Sequence, residues 1–516
     1  ADFYHTESQS SNFSTTMGNA GSLKNSSSTS QNSVIDKQAE SGNLLFRHKF
    51  AKERRTLSLS GNWQLIGDTH DDYLISQNNA YYQGQPSGSQ SLDQHKSLQS
   101  QTGNLNAQVA YTEPLSKKYS LELAYQLAYD YGQNNQTTFS YSAATSKYDF
   151  FVDSLSNNFK QNILQQVPSA RINYAGKKLK LDLGMGAGFT HFDLKNLTLS
   201  KDYVRHYMDF YPSANLTYTY KPSRSIRFRY NGNTTQPSID QLQPITNNNN
   251  YFNQIIGNPN LKPSFSNSFS VSNNSYNFIK DLFTYIGVNG NFTSNAITMN
   301  RVINLDSGKT VSQPVNVNGN HNLSIFTGVG LRVKKINTRF NLSPNFNFSK
   351  YAEIINNQES YSRNTSLGMY SGAYLSVPKK YEFDIGDNFS YNLNKISQQN
   401  TRIHYFTNEW DLNATVYFHK VWSLSSDAEL LSRQKTFPGD QNLKNNIWNA
   451  RFQRPLHHDD FTIYLSVHDI LNQNIGIDRN FTGNTYTQTT NDRLKRYFMI
   501  GFEWDLKNKT AKPKSK

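Results

Sequence analysis

Hydrophobic residues in this chain recur at every second position, in short blocks separated by polar segments. The clearest block places Tyr119, Leu121, Leu123, Tyr125, Leu127 and Tyr129 in alternation with Ser120, Glu122, Ala124, Gln126 and Ala128. A period of two marks a β-strand with one apolar and one polar face. At roughly 3.4 Å per residue, a tilted strand of this length crosses a hydrocarbon core about 30 Å thick. Its aromatics stand at both ends of the apolar row, where a membrane–water boundary would lie. A half-buried strand of a soluble sandwich shares the pattern, so this block alone leaves both readings open.

The same alternation returns along the chain. Leu179, Leu181, Leu183, Met185, Ala187 and Phe189 oppose Lys180, Asp182, Gly184, Gly186, Gly188 and Thr190. Further rows are Leu282, Ile286, Val288 and Phe292, then Leu367, Met369, Ala373, Leu375 and Val377. They continue with Tyr381, Phe383, Ile385, Phe389 and Tyr391, and with Phe406, Trp410, Leu412, Val416 and Phe418. The last row is Phe498, Ile500, Phe502, Trp504 and Leu506.

Connections between the rows alternate in length. Tight turns are expected near 51–55, 114–118, 175–178, 221–224, 277–281, 334–336, 377–380, 418–422 and 455–460. Long polar loops are expected over 67–103 and near 131–159, 236–260, 299–309, 351–361, 434–443 and 469–490. Short turns on one side and long loops on the other suit a transmembrane barrel with a periplasmic and an extracellular end. A Greek-key sandwich mixes its connections. The expected fold is therefore all-β, a transmembrane antiparallel up-and-down β-barrel of about 19 strands, more than a twisted open sheet usually holds. Residues 1–41 read as a polar loop or disordered start, 42–507 as the barrel, and 508–516 as a basic tail.

Composition narrows the function. Across 516 residues only 36% are hydrophobic, and no apolar run reaches about 18 residues, so helical membrane spans are excluded. Aromatics at 13% argue against disorder, and charged residues at 17% are too few for an ordinary soluble surface. The absence of cysteine removes disulfide scaffolds, thiol catalysis and Cys–zinc sites. The net charge of +14 is spread along the chain, whereas a nucleic-acid binder would gather it on one face.

Two segments carry a family resemblance. One runs from Arg229 to Pro263 and contains Gln236-Pro237-Ser238, Leu242, and Gly257-Asn258-Pro259 followed by Leu261-Lys262-Pro263. The other, Phe461–Lys507, contains Asp469-Ile470-Leu471-Asn472-Gln473-Asn474 and Arg496-Tyr497-Phe498. Both resemble the barrel of TonB-dependent outer-membrane receptors of the Bacteroidota-type outer-membrane β-barrel family. The resemblance implies a barrel of about 22 strands, a plug domain and TonB as partners, a surface lipoprotein as a further partner, and the outer membrane of a Gram-negative bacterium as the location. With about 19 strands and no plug-like sequence before residue 42, the chain is expected to be a fragment that starts within the early barrel and is incompletely closed.

Several residues are candidates for function. Pro237, Ser238, Gly257, Pro259 and Pro263 are expected to shape a long loop, because proline fixes φ and glycine relaxes it. Within that loop Gln236, Tyr251, Phe252 and Asn258 are the candidates for ligand contact. Glu122, Asp182, Glu409 and Asp411, with Glu382, Asp384, Glu503 and Asp505, are expected on the lumen wall. There they form a hydrated lining or guide a cationic solute. His457-His458-Asp459-Asp460 offers metal-ligand types, but a tight turn rarely converges four ligands, so no metal site is assigned. No cofactor is implied, and a wide lumen lacks the confined pocket a catalytic carboxylate pair needs. The expected function is nutrient or metal-chelate import by the full-length receptor. A plug-free pore or structural membrane protein and a secreted β-rich adhesin are the alternatives.

Overall fold

The computed structural model describes residues 2–18, 21–242, 246–247, 250–398, 401–419, 421–436, 440–456, 461–482 and 485–504. One 25-stranded sheet takes in almost all of them, and its long strands pair antiparallel with their neighbours in chain order. The block at Tyr119 opens the strand Tyr119–Ser142, which lies between Gln85–Pro114 and Asn157–Ala175. Its partners extend the alternation sideways: Leu123 stands opposite Tyr111 on one side and Ala170 on the other.

The apolar rows all point away from the interior, and they stay open. Leu123, Leu183 and Leu367 are 50%, 49% and 51% exposed, and no second sheet covers them among the described residues. A soluble sandwich would bury such rows about 10 Å from a facing sheet. Lipid is the medium that suits them, and within the sheet each inner strand pairs its backbone with both neighbours.

Several expected loops are strands. Thr56–Tyr82 and Gln85–Pro114 pair continuously from Thr56↔Thr112 to Tyr82↔Gln85, so 67–103 is the outer half of a hairpin. Gln83 and Gly84 close it with φ of 51° and 81°, the two-residue turn that matches strand twist. Likewise Thr338–Ile355 and Gln358–Val377 meet at Asn356-Asn357, with φ of 51° and 63°, in place of a loop over 351–361. Residues 131–142 continue their strand. At the start, Asp2–Met17 and Leu23–Lys49 form a paired hairpin where a polar loop was expected. The physical reason is common to all of these. A strand of 27 residues spans roughly 90 Å, about three times the hydrocarbon core. Beyond the lipid both faces meet polar surroundings, so the alternation disappears while the ladder continues.

The sheet exceeds the roughly 19 strands expected through Asp2–Met17 and five short strands within connections, Lys147–Phe151, Thr246–Asn247, Asn253–Ile256, Ala296–Ile303 and Thr310–Val317. Asp2–Met17 pairs only with Leu23–Lys49, and Tyr497–Trp504 only with Phe461–His468. The two edges do not pair with each other, so the wall is an open barrel among the described residues.

The larger dry cluster lies on the inward face, at the end bearing the longer connections. Phe159, Ile163, Phe192 and Leu194 project inward from the wall and pack with Leu242 and Leu261 of the long connection between Arg224–Thr235 and Ser264–Asn277. Ala296 and Val317 of the hairpin Ala296–Ile303/Thr310–Val317 form a smaller cluster with Ala352 of Thr338–Ile355, to which the hairpin also pairs. The connection carrying Leu242 and Leu261 therefore folds inward over the lumen.

Candidate functional site: the lumen and its inward loops

The connection over 236–263 is fastened to the wall by side chain to main chain bonds. It begins with a short helix, Ile239–Leu242, capped reciprocally: Ser238 N donates to Gln241 Oε1 at 3.0 Å, and Gln241 N donates to Ser238 Oγ at 3.3 Å. Arg205, inward-facing on Lys201–Lys221, donates to the carbonyls of Pro259 (2.6 Å) and Leu261 (2.7 Å). Asn258 Nδ2 donates to Pro314 O at 3.0 Å, and Gln313 Nε2 donates to Gly257 O at 3.3 Å. Asn316 receives Lys262 N at 2.8 Å and returns a bond to Lys262 O at 2.9 Å. These contacts hold 257–263 against the strand Thr310–Val317, which also pairs in parallel with Asn253–Ile256.

The loop candidates are therefore placed as follows. Phe252 is buried, Tyr251 is half-buried with the Lys309 ammonium 4.4 Å from its ring centre, and Asn258 is part of the fastening. Gln236 has both amide atoms buried without a partner in the protein. Pro237 and Gly257 are buried, while Pro259 and Pro263 are partly so. The hairpin beside them reaches across to the first long hairpin: Asn25 Nδ2 donates to Ser307 O at 2.8 Å. Gly308, at φ of 68°, packs there so closely that an added Cβ would meet Asn25 Nδ2 at 2.8 Å.

Register gathers much of the charge of the lumen wall into two groups of strands. Arg171, Lys180, Arg227, Arg229, Arg332 and Arg339 project inward from strands between 157 and 355. Glu382, Asp384, Glu409, Asp411, Asp427 and Glu429 project inward from the three strands Tyr381–Ile396, Thr401–Phe418 and Trp422–Arg433. Asp182 sits within the basic group, and Glu122, on the neighbouring strand Tyr119–Ser142, approaches Arg171 to 3.4 Å. Glu409 and Asp411 belong to the acidic group and so lie apart from the other two candidates. Glu503 pairs with Arg451 at 2.8 Å.

Apolar rows outside, a charged lumen inside and folded-in connections at one end coincide with a match to the outer membrane protein beta-barrel family, over residues 48–409 and 354–504. The chain belongs to that family. It is an outer-membrane β-barrel of a Gram-negative bacterium, and its short-turn end is periplasmic. No curated protein sequence matches the chain. Among solved structures, it is similar to the copper transporter OprC, with 10% identity, 96% of this chain and 82% of that chain covered, and a TM-score of 0.43. It is also similar to the ferric citrate transporter FecA in its unliganded form, with 10% identity, coverage of 95% and 72%, and a TM-score of 0.45. The ferric yersiniabactin uptake receptor FyuA from Yersinia pestis gives 10% identity, coverage of 96% and 79%, and a TM-score of 0.40.

In this outer-membrane barrel the extracellular rim carries a second fastening that sequence reasoning missed. The Asp440 carboxylate is fully buried, with Arg433 at 3.1 Å and Arg479 at 3.3 Å, and it accepts from Thr436 N and Oγ1 at 2.9 and 2.8 Å. It ties the connection after Trp422–Arg433 to the hairpin Ile477–Thr482/Thr485–Thr490. Arg205 was also missed. Its signal was available: Tyr203, Arg205, Tyr207, Asp209 and Tyr211 alternate with Val204, His206, Met208 and Phe210. Lys96 lies inward on the extracellular half of its strand, where burial pushes its ammonium down to about 8 against the opposing pull of Asp72. The residues His457–Asp460, Asp505 and the tail from 508 lie outside the described residues.

Proposed function

We propose that this barrel is the translocating part of a TonB-dependent receptor, which imports a nutrient or metal chelate through its lumen when a periplasmic partner displaces a plug domain. The observation that carries the reading is the inner wall. A lumen lined by a basic and an acidic group of strands, roofed by fastened extracellular connections, suits a charged occupant and an obstructed path. A passive porin would leave an aqueous channel open. Tyr251 and Gln236 are the ligand contacts we favour, since Tyr251 keeps part of its ring accessible and Gln236 has unmet hydrogen bonds.

The test is uptake in cells carrying or lacking the full-length gene, against a panel of chelated metals, peptides and oligosaccharides, with and without a protonophore. One solute should accumulate only in energised cells that carry the gene. Equal, protonophore-insensitive entry of unrelated small solutes would instead establish a passive pore.

A further inference from the structure

On three adjacent strands a carboxylate and two polar neighbours interrupt the apolar rows. Tyr381, Phe383, Ile385, Phe389 and Tyr391 skip Asp387; Leu367, Met369 and Ala373 skip Ser371; Phe406 and Trp410 skip Asn408. Register shows that these are outward residues. Asp387 stands opposite Ser371 on one side and Trp410 on the other, and Asn408 stands opposite Phe389. Asp387 therefore faces outward midway between Tyr381 and Tyr391, in the centre of the hydrocarbon band. The other outward positions of Tyr381–Ile396 up to Tyr391 are apolar or aromatic.

A carboxylate facing lipid at that depth is costly, and intramembrane ionisable residues mark function and take a partner. Within the chain, Asn408 Nδ2 donates to Asp387 Oδ1 at 2.6 Å, which leaves the second carboxylate oxygen for another donor. The small side chains of Ser371 and Ala373 also leave a groove of about 470 Å³ beside Asp387, walled by Phe340, Leu342, Ile385 and Trp410. Those four walls stay 44%, 42%, 45% and 40% exposed.

We propose that this face binds a second copy of the chain within the membrane. Its chemistry is self-complementary, as a twofold contact requires. It carries an acceptor in Asp387, donors in Ser371 and Asn408, a projecting ring in Trp410 and a groove to receive one. Across a twofold axis, Asp387 of each copy accepts from Ser371 or Asn408 of the other, and the groove takes the other copy's apolar side chains. Acyl chains would fill the groove but offer Asp387 no donor at that depth.

The chain contains no cysteine, so single thiols report contact cleanly. The full-length protein carrying Ser371→Cys is treated in native outer membranes with a short bis-maleimide. A cross-linked species of twice the chain mass is expected, and Ala187→Cys, outward on a distant strand, should give none. Adding Asp387→Leu to Ser371→Cys should lower the cross-linked fraction at least tenfold, while the heat-modifiable gel shift of a folded barrel persists. Monomer alone from Ser371→Cys, with its thiol shown reactive toward a monofunctional maleimide, would overturn the proposal in favour of lipid. A cross-link to a protein of another mass would overturn it in favour of a different partner. Cross-linking that survives Asp387→Leu would remove Asp387 from the contact.

Discussion

Replacing Arg205 by Met should free the inward loop while leaving the wall intact. The guanidinium supplies two short bonds, 2.6 Å to Pro259 O and 2.7 Å to Leu261 O, from a half-buried position. Hydrogen bonds to a charged group contribute about 1.5–3 kcal/mol each when buried. Partial exposure lowers that, so we take about 2–4 kcal/mol for the pair. Met retains most of the aliphatic stem opposite Phe192, which separates the bonds from the packing. Because 1.4 kcal/mol is about tenfold in an equilibrium constant, local opening of 257–263 should rise about 30- to 1,000-fold. Hydrogen exchange read by mass spectrometry resolves this: amides of 253–263 should exchange faster by that factor, while Leu179–Asn196 and Lys201–Lys221 keep their protection. Unchanged exchange at 253–263 would mean that the apolar seat of Leu242 and Leu261 holds the loop alone. Faster exchange throughout the wall would mean that Arg205 supports the barrel instead.

Three other outcomes follow from the same geometry. Leu183→Arg, on the lipid face, should destabilise the folded barrel by about 2–4 kcal/mol in reversible denaturant titration in bilayers, whereas Gln126→Arg on the lumen face should change little. Asp440→Asn leaves Arg433 and Arg479 buried without their counter-charge; at about 3–5 kcal/mol it should release the extracellular hairpin at 477–490 to limited proteolysis without unfolding the wall. Lys96 titrates lower in the folded chain (about 8) than its ordinary 10.5, so the charged form is disfavoured by folding. That penalty is present in full below pH 8 and lifts between about 8 and 10.5, so stability should rise with pH across that window by roughly 3 kcal/mol relative to Lys96→Met, whose difference from wild type should shrink to match.

Legibility of the fold in the sequence followed the solvent around each strand. Where one face meets lipid and the other meets the lumen, as at Tyr119–Tyr129 and Leu179–Phe189, the alternation alone specifies strand and face. Where both faces are polar, as at Gly67–Tyr82 and Gln85–Gly103, the same ladder has no hydrophobic period and reads as loop. The two-residue turns that close such ladders, Gln83-Gly84 and Asn356-Asn357, lie inside stretches that read as long loops. The loop motif around Gly257–Pro263 was visible, but its partner Arg205 lies far off in the chain and only the register of Lys201–Lys221 brings it near. The acidic residues of the lumen were found on their faces, while their separation from the arginines depends on strand order around the wall.

The most direct measurement concerns the five tryptophans, Trp63, Trp410, Trp422, Trp448 and Trp504. Register places every one of them on an outward row. In bilayers whose acyl chains carry bromine, intrinsic fluorescence should be strongly quenched, and aqueous acrylamide should quench it weakly. Strong acrylamide quenching with no response to brominated lipid would show that water or protein, and not lipid, surrounds the outward rows.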